Sequence, residues 1–261
     1  MRPLAHPCEC LLCFFLLACV ANALCAADDD FETRVFQGKA SQTLPYRLLK
    51  PQNYDPQKSY PLVLFLHGAG ERGEDNKAQL LHVVGVFASK ENRERFPCFV
   101  VAPQCPEGKR WVEVDWAAKS HTQPEEPSVP MALTVELVKQ LSKEFHIDPQ
   151  RQYVIGLSMG GYGTWDILTR HPDMFAAGVP ICGGADENTA PRIAKLPIWV
   201  FHGEVDSVVP TIRSKNMIAA LERAGGKPRY TEYPKCDHNS WTPAIQEPDL
   251  LPWLFAQKRG L

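Results

Sequence analysis

The chain has 261 residues, of which 44% are hydrophobic and 22% are charged, and its formal net charge is −2. These proportions are ordinary for a globular protein, so they exclude a disordered, collagen-like or coiled-coil chain. The near-neutral balance lacks the excess of lysine and arginine that nucleic-acid binding requires, so no nucleic-acid partner is expected. A chain of this length permits one large α/β domain or two small ones.

The first 27 residues have the features of an export signal. Arg2 supplies a positive charge, residues 11–20 (LLCFFLLACV) form an apolar run, and residues 21–23 (ANA) fit a small-x-small cleavage pattern. An apolar run of 10 residues is too short for a membrane-spanning helix, which needs about 20 residues. We predict a signal peptide at 1–27 and one catalytic domain at 28–261, secreted or periplasmic and without stable membrane insertion.

The nine cysteines are divided between the leader and the mature chain. Five lie in the leader, where residues 16–19 (LLAC) loosely resemble a lipoprotein signal, the less favoured alternative to cleavage. The other four are Cys98, Cys105, Cys182 and Cys236. Four cysteines in an exported protein allow three disulfide pairings, and unpaired buried thiols are an equal alternative.

Short apolar runs alternate with helical patterns along the mature chain. Strands are predicted at 33–37, 45–49, 62–66, 99–102, 153–155, 177–181, 198–201 and 230–233. The first two are expected to form a hairpin. Helices are predicted at 129–145, 159–170, 214–224 and 250–258. This alternation predicts an α/β domain with a mostly parallel eight-stranded sheet and helices on both faces, whose chemistry lies beyond the carboxyl ends of the strands.

A Gly-x-Ser-x-Gly sequence follows the predicted strand at 153–155. Gly156, Ser158 and Gly160 occupy its fixed positions, and a helical pattern comes next. A sharp turn from strand to helix projects the central side chain, and glycines on either side keep the turn uncrowded. The N-terminus of the helix supplies N–H groups that stabilise an oxyanion. The pattern therefore predicts Ser158 as a nucleophile.

A nucleophilic serine needs a base, and the base needs an acid that orients it. In α/β hydrolases the acid follows the serine along the chain, and the histidine comes last. Asp206 lies in the turn after the strand at 198–201, and His238 follows the last predicted strand. We predict Asp206 as the acid and His238 as the base, with Glu204 and Asp237 as rival acids.

The strand at 62–66 leads into a glycine-rich segment, HGAGERG at 67–73. Such a segment lets backbone N–H groups approach a substrate carbonyl. We predict an oxyanion hole formed by the N–H groups of Met159 and Ala69, with Gly70 as the near alternative to Ala69.

Other polar and aromatic residues near these motifs receive different predictions. Glu71 and Arg72 are interpreted as a structural ion pair and His202 as a structural residue. Trp111 and Trp241 follow strand ends and are predicted to line the substrate pocket, the alternative being that they pack loops onto the body. The mature sequence has no Gly-x-x-x-x-Gly-Lys-Ser/Thr motif and no metal-ligand spacing, so no cofactor and no metal are expected.

These motifs together resemble the α/β-hydrolase serine esterases. More closely, the chain resembles exported esterases that are named predicted peptidases and are related to feruloyl esterases and polyhydroxybutyrate depolymerases. The matching segments are LVLFLHGAGERGEDN, VVAPQCP, YVIGLSMGGYGTWD, FAAGVPICGG, WVFHGEVDSVVP and RYTEYPKCDHNSW. The resemblance extends from residue 62 to residue 241 and implies the α/β-hydrolase fold with Ser158, Asp206 and His238 as the triad.

The sequence thus predicts a serine carboxylic-ester hydrolase that acts through an acyl-enzyme. Only 16 residues, 182–197, separate two predicted strands where a cap domain would be inserted. A minimal lid and an open site are therefore expected, with short-acyl or carbohydrate-linked (feruloyl or acetyl) esters as substrates. A serine peptidase of the same fold is the alternative, although no segment marks a peptide-positioning domain.

Overall fold

A computed structural model describes residues 30–260, and the predicted signal peptide at 1–27 lies outside this range. Its eight-stranded sheet has the order β1-β2-β4-β3-β5-β6-β7-β8. The strands are β1 (Phe31–Gln37), β2 (Thr43–Leu49), β3 (Tyr60–Leu66), β4 (Phe99–Pro103), β5 (Ile147–Leu157), β6 (Ala177–Ile181), β7 (Trp199–Gly203) and β8 (Arg229–Tyr233). The α-helices are α1 (Gly85–Ala88), α2 (Lys90–Arg95), α3 (Val129–Glu144), α4 (Met159–Arg170), α5 (Ile212–Arg223), α6 (Trp241–Ile245) and α7 (Leu250–Ala256).

The sheet is mostly parallel, as the strand–helix alternation predicts. β1 and β2 form the predicted antiparallel hairpin, and β2 also pairs antiparallel with β4. All pairs from β4 through β3, β5, β6 and β7 to β8 are parallel. Because parallel strands end at the same edge of a sheet, the segments that follow β3, β5, β6, β7 and β8 meet there.

Helices cover both faces of the sheet. β3 is buried along its whole length, and its successive side chains enter two different apolar clusters. Leu64 belongs to a cluster with residues of α3 and α4, whereas Phe65 belongs to a cluster with residues of α7. Alternate side chains of a strand point to opposite faces, which explains the continuous apolar run at 62–66.

The strand β5 begins well before its predicted start. Its first half is the polar sequence Ile147-Asp-Pro-Gln-Arg-Gln, which has no strand periodicity. Ile147 pairs with Tyr60, and the register shifts before the regular pairing with β3 resumes. Pairing with a buried neighbour therefore makes a strand of a segment whose own sequence does not indicate one.

The connection between β6 and β7 is as short as predicted and contains a single 3₁₀ segment, Glu187–Arg192. This short connection confirms the prediction of a minimal lid. Cys98, Cys105 and Cys182 are buried and Cys236 is half-buried, and all four are free thiols. Of the two alternatives for the mature cysteines, the structure therefore has the unpaired one. No helix within residues 30–260 is long and apolar enough to cross a membrane.

Candidate active site

Ser158 lies at the tip of a tight turn between β5 and α4. Its backbone angles, φ 53° and ψ −118°, are rarely adopted by residues other than glycine. A Cβ atom at Gly160 would lie 1.9 Å from the carbonyl oxygen of Leu66, and one at Gly156 would lie 2.3 Å from the carbonyl oxygen of Gly160. Only glycine fits at these two positions. The turn therefore holds the serine side chain out at the carboxyl edge of the sheet.

Three side chains that are far apart in sequence meet in one line of hydrogen bonds. Ser158 Oγ lies 2.8 Å from His238 Nε2. His238 Nδ1 lies 2.8 Å from Asp206 Oδ2 and 3.1 Å from Oδ1. A carboxylate only accepts hydrogen bonds, so Nδ1 carries a proton and Nε2 of the neutral ring can accept the serine proton. The arrangement has the geometry of a nucleophile, its base and an orienting acid.

The Asp206 side chain is fully buried and held by several donors. Oδ1 accepts hydrogen bonds from the backbone N–H groups of Val208 (2.9 Å) and Val209 (2.8 Å). His202 Nε2 lies 3.2 Å from Oδ2. Burial alone would raise the pKa of Asp206, but hydrogen bonds from His202, His238 and the backbone hold it well below its usual range. Asp206 is therefore a carboxylate at any pH at which the protein would work.

The rival acids point elsewhere. Asp237 is exposed, and its Oδ1 accepts hydrogen bonds from the backbone N–H and the hydroxyl of Ser207, both at 2.8 Å. It also accepts one from the backbone N–H of His238 at 2.8 Å. Glu204 Oε2 accepts a hydrogen bond from the backbone N–H of Lys235 at 2.9 Å. Of the three candidates, Asp206 is the one whose carboxylate contacts the His238 ring.

His202 is a structural residue, as interpreted from sequence. It is fully buried, and its two ring nitrogens lie 2.7 Å from the hydroxyl of Ser214 and 3.0 Å from the carbonyl oxygen of Val209. These contacts tie the Asp206 turn to α5. Sequence reasoning missed the contact of His202 with Asp206 itself. His202 lies in β7 and Asp206 in the turn that follows, and tertiary contacts set the shape of that turn.

Cys182, Asp206 and His238 form a group whose possible metal-ligand atoms lie within 4.8 Å of one another. Burial raises the pKa of the Cys182 thiol well above its usual range, so the thiol stays protonated. Asp206 and His238 are hydrogen-bonded to each other. A metal ion would have to displace the thiol proton and break that hydrogen bond, so the group fits acid–base chemistry better than metal binding.

The predicted oxyanion donors lie at the first positions of helical turns. Met159 begins α4, and Ala69 begins the 3₁₀ segment Ala69–Glu71 that follows β3. The first N–H groups of a helix have no acceptor within the helix, so they are available to a ligand. The two turns lie close together, because a Cβ atom at Gly68 would lie 3.7 Å from Ser158 Cβ. The assignment of these two N–H groups stays a prediction.

The interpretation of Glu71 and Arg72 as an ion pair is wrong. Glu71 is buried, and its Oε1 lies 3.4 Å from Nε2 of His82. Arg72 Nε instead donates to the carbonyl oxygen of Ala69 at 2.8 Å. Glu71 ends the 3₁₀ segment and Arg72 follows it in an extended conformation, so their side chains diverge and each finds a partner outside the pair.

The two tryptophans predicted to line the pocket differ in their environment. The prediction for Trp111 is wrong, because the side chain is fully buried in the core. Its indole N–H donates to the carbonyl oxygen of His67 at 3.0 Å. Trp241 is half-buried, and its ring centroid lies 5.3 Å from that of His238 in an edge-on contact. A pocket role for Trp241 stays a prediction.

His67 is the residue next to the site to which sequence reasoning assigned no role. Its Nε2 accepts a hydrogen bond from the backbone N–H of Cys105 at 2.9 Å. Its Nδ1 therefore carries the proton and donates to the carbonyl oxygen of Gly68 at 2.6 Å. Burial lowers the pKa of His67 to about 4, so the ring is neutral at pH 7. His67 comes directly after a buried strand, and that position is the feature of the sequence that could have pointed to it.

Comparison with known proteins gives matches along most of the chain. The Esterase family model, described as "Putative esterase", matches residues 40–241. A crystal structure of a thermostable esterase is 41% identical with a TM-score of 0.82, over 89% of this chain and 64% of that one. Poly(3-hydroxyalkanoate) depolymerase C of Paucimonas lemoignei is 31% identical over 131 residues, which is 48% of this chain and 28% of that protein. The chain thus spans less than two thirds of either relative.

The feruloyl esterase module from Clostridium thermocellum shares the fold at 16% identity, with a TM-score of 0.63 over 87% of this chain and 88% of that chain. Together these matches confirm the resemblance inferred from the motifs and the α/β-hydrolase fold that this resemblance implies.

Proposed function

Because the chain belongs to the Esterase family, we propose that it is an exported serine carboxylesterase whose catalytic triad is Ser158, His238 and Asp206. The observation that carries this proposal is the unbroken line of hydrogen bonds from Ser158 Oγ through the His238 ring to Asp206. The donors around Asp206 keep it charged, which suits an acid that orients and stabilises a protonated histidine.

In the acylation step Ser158 Oγ attacks the ester carbonyl carbon while His238 Nε2 takes its proton. The 2.8 Å separation of these atoms suits direct proton transfer. The carbonyl oxygen becomes an oxyanion, which accepts hydrogen bonds from the N–H groups of Met159 and Ala69. The tetrahedral intermediate then collapses, the bond to the leaving oxygen breaks, and His238 returns its proton to the departing alcohol.

In the deacylation step water replaces the serine as nucleophile. His238 Nε2 takes a proton from water, and the resulting hydroxide adds to the acyl carbon. Collapse releases the carboxylic acid and returns the proton to Ser158 Oγ. Asp206 keeps its charge in both steps and stabilises the transient imidazolium.

The expected substrates are short-acyl or carbohydrate-linked esters. The short segment between β6 and β7 contains one 3₁₀ segment and no cap domain, which supports a site open to bulky alcohols. Val205 and Val208, on the turn that carries Asp206, are exposed apolar side chains. They offer exposed apolar surface on the turn that carries Asp206, and such a surface suits a short acyl or aromatic group.

The test is Ser158→Ala, assayed with p-nitrophenyl acetate and with a peptide anilide. Ester turnover should fall by about 10⁴-fold or more, since a triad member has been removed. Ser142→Ala is the matched control. Ser142 is an exposed residue of α3 whose hydroxyl donates to the carbonyl oxygen of Val138 in the same helix, so this variant should keep normal activity. Near-normal ester turnover by Ser158→Ala contradicts the proposal, and wild-type preference for the anilide supports a peptidase instead.

Export is tested separately by intact mass and N-terminal sequencing of protein purified from its native host. The mature protein should begin between residues 24 and 28, after the small-x-small tripeptide. A retained Met1 contradicts cleavage, and a lipid-modified Cys19 means that the chain is a lipoprotein.

A further inference from the structure

The carbonyl groups of the segment after β3 are held by side chains, one after another. Trp111 Nε1 donates to His67 O (3.0 Å), His67 Nδ1 to Gly68 O (2.6 Å), Arg72 Nε to Ala69 O (2.8 Å) and Gln104 Nε2 to Glu71 O (3.1 Å). A side chain that donates to a single backbone carbonyl is common. Here side chains donate to four of the five carbonyls of residues 67–71, the segment that includes the predicted oxyanion donor.

Holding a carbonyl also fixes the N–H group of the next residue. A trans peptide is planar, with its C=O and N–H pointing in opposite directions. The Gly68 carbonyl therefore fixes the direction of the Ala69 N–H, and the Ala69 carbonyl fixes that of the Gly70 N–H. These two N–H groups are the two alternatives for the oxyanion donor from this segment.

Arg72 differs from the other three donors in burial and charge. The side chains of Trp111, His67 and Gln104 are buried in the body of the domain, so changing them also removes core packing. Arg72 is half-buried. Within residues 30–260 its guanidinium has no carboxylate in ion-pair distance, and besides Ala69 it donates to the carbonyl oxygen of Lys109 at 3.4 Å. A permanent cation is thus used to hold two backbone carbonyls.

We propose that Arg72 is a positioning residue of the oxyanion hole. By holding the Ala69 carbonyl it fixes the Gly70 N–H directly, and it fixes the orientation of residue Ala69, whose own N–H is the predicted donor. The inference rests on the proposed function, because it presumes acyl transfer at Ser158. Charge-assisted hydrogen bonds are roughly twice as strong as neutral ones, so this one holds the peptide firmly. Through Lys109 the same guanidinium also anchors the turn to the segment at 103–128.

The expected consequence is selective for the transition state. Preorganised donors stabilise the oxyanion without reorienting, whereas a freed peptide must be ordered during the reaction. A misplacement of about 1 Å can cost about 10²-fold in rate. Loss of the Arg72 hydrogen bond should therefore lower kcat by about 10- to 100-fold. KM should change by no more than about 2-fold, since the ground-state ester carries no oxyanion.

The test compares Arg72→Met and Arg72→Lys with Arg110→Met on p-nitrophenyl acetate. Arg110 is the matched control, because its guanidinium lies 4.4 Å from the centre of the Trp116 ring and donates to the Val114 carbonyl, and neither contact involves residues 67–73. Arg72→Met should lose kcat as stated, and Arg72→Lys should lose less because an ammonium can still donate to one carbonyl. Arg110→Met should keep kcat within about 2-fold.

Two further measurements separate positioning from general destabilisation. A trifluoromethyl ketone, which forms an anionic adduct with the serine, should bind Arg72→Met more weakly by the factor lost in kcat/KM. Added guanidinium should restore part of the rate of Arg72→Ala and leave Arg110→Ala unchanged.

A normal kcat in Arg72→Met, a loss confined to KM, or an equal loss in Arg110→Met would overturn the inference. If Arg72→Met unfolds, Arg72→Lys and the rescue of Arg72→Ala decide. Ser158→Ala is assayed in parallel: if it stays active the proposed function fails, and if it is inactive while Arg72→Met is normal only this inference fails.

Discussion

Replacing Asp206 by asparagine should remove the activity without removing the fold. Oδ1 of Asp206 accepts two backbone N–H groups, from Val208 and Val209. The amide oxygen of an asparagine must occupy the Oδ1 position. If the NH₂ group stood there instead, it would face two backbone N–H donors, and neither it nor they would have an acceptor. The NH₂ group would then take the place of Oδ2, which faces His238 Nδ1 at 2.8 Å and His202 Nε2 at 3.2 Å.

This exchange changes the tautomer of the His238 ring. An NH₂ group donates to Nδ1, so the ring proton moves to Nε2, which lies 2.8 Å from Ser158 Oγ. A protonated Nε2 cannot accept the serine proton. A tautomer change of this kind costs about 10⁴ in kcat, or about 5.5 kcal/mol of transition-state stabilisation. The amide would also meet the His202 nitrogen, so we expect some loss of stability as well.

The assay is initial-rate hydrolysis of p-nitrophenyl acetate by Asp206→Asn and Asp237→Asn, with thermal unfolding measured on both. Asp237→Asn is the matched control. The Asp237 carboxylate is exposed and accepts its hydrogen bonds from Ser207 and from the backbone N–H of His238, not from the His238 ring. The substitution should change kcat by less than about 3-fold. A loss in Asp237→Asn as large as in Asp206→Asn, or less than a tenfold loss in Asp206→Asn, would refute the reasoning.

Three further expectations concern the elbow, pH and substrate size. Gly160→Ala should lower the free energy of unfolding in urea by at least about 3 kcal/mol, because its Cβ would lie 1.9 Å from a backbone oxygen. Gly85→Ala is the control: a Cβ there meets open space, so the substitution should be neutral or stabilising. His67 has a pKa of about 4 in the native state against about 6.5 when unfolded, so the unfolded chain binds the extra proton and His67 should contribute a loss of about 3 kcal/mol in stability from pH 7 to pH 4. Burial also lowers the pKa of His121 to about 4, so His67→Gln should show a smaller pH dependence than wild type, not the absence of one. In a p-nitrophenyl ester series from C2 to C16, the short β6–β7 connection predicts the highest rates for short acyl groups and no jump in rate when an emulsion forms.

Each of these expectations has a distinct contrary result. Equal unfolding free energies for Gly160→Ala and Gly85→Ala would mean that the turn can open. The same pH dependence in His67→Gln and wild type would place the responsible group elsewhere. A rate maximum at C10 or longer would indicate a deep acyl tunnel and a lipase-like site.

The sequence by itself determined the succession of strands and helices along the chain and the glycines of the elbow, and it predicted the chain order of the three proposed triad residues. These features are local: a strand buried on both faces must be apolar throughout, and a tight strand-to-helix turn requires glycine at Gly156 and Gly160. The predicted and observed bounds of β6 and α4 coincide, because both are flanked by abrupt changes of pattern. The start of β5 was missed because its strand character comes from pairing with Tyr60.

Only the tertiary structure decided which partner each side chain near the site has. Asp206 and Asp237 are both aspartates near the His238 loop, yet the folding of two turns brings only the Asp206 carboxylate to Nδ1 of the His238 ring. The Trp111 indole reaches the His67 carbonyl, and the Arg72 guanidinium reaches the Lys109 carbonyl, because the segments at 67–73 and 103–128 pack against each other. Periodicity and spacing report a residue's own element, whereas a hydrogen bond between distant loops depends on where the whole sheet brings their ends together.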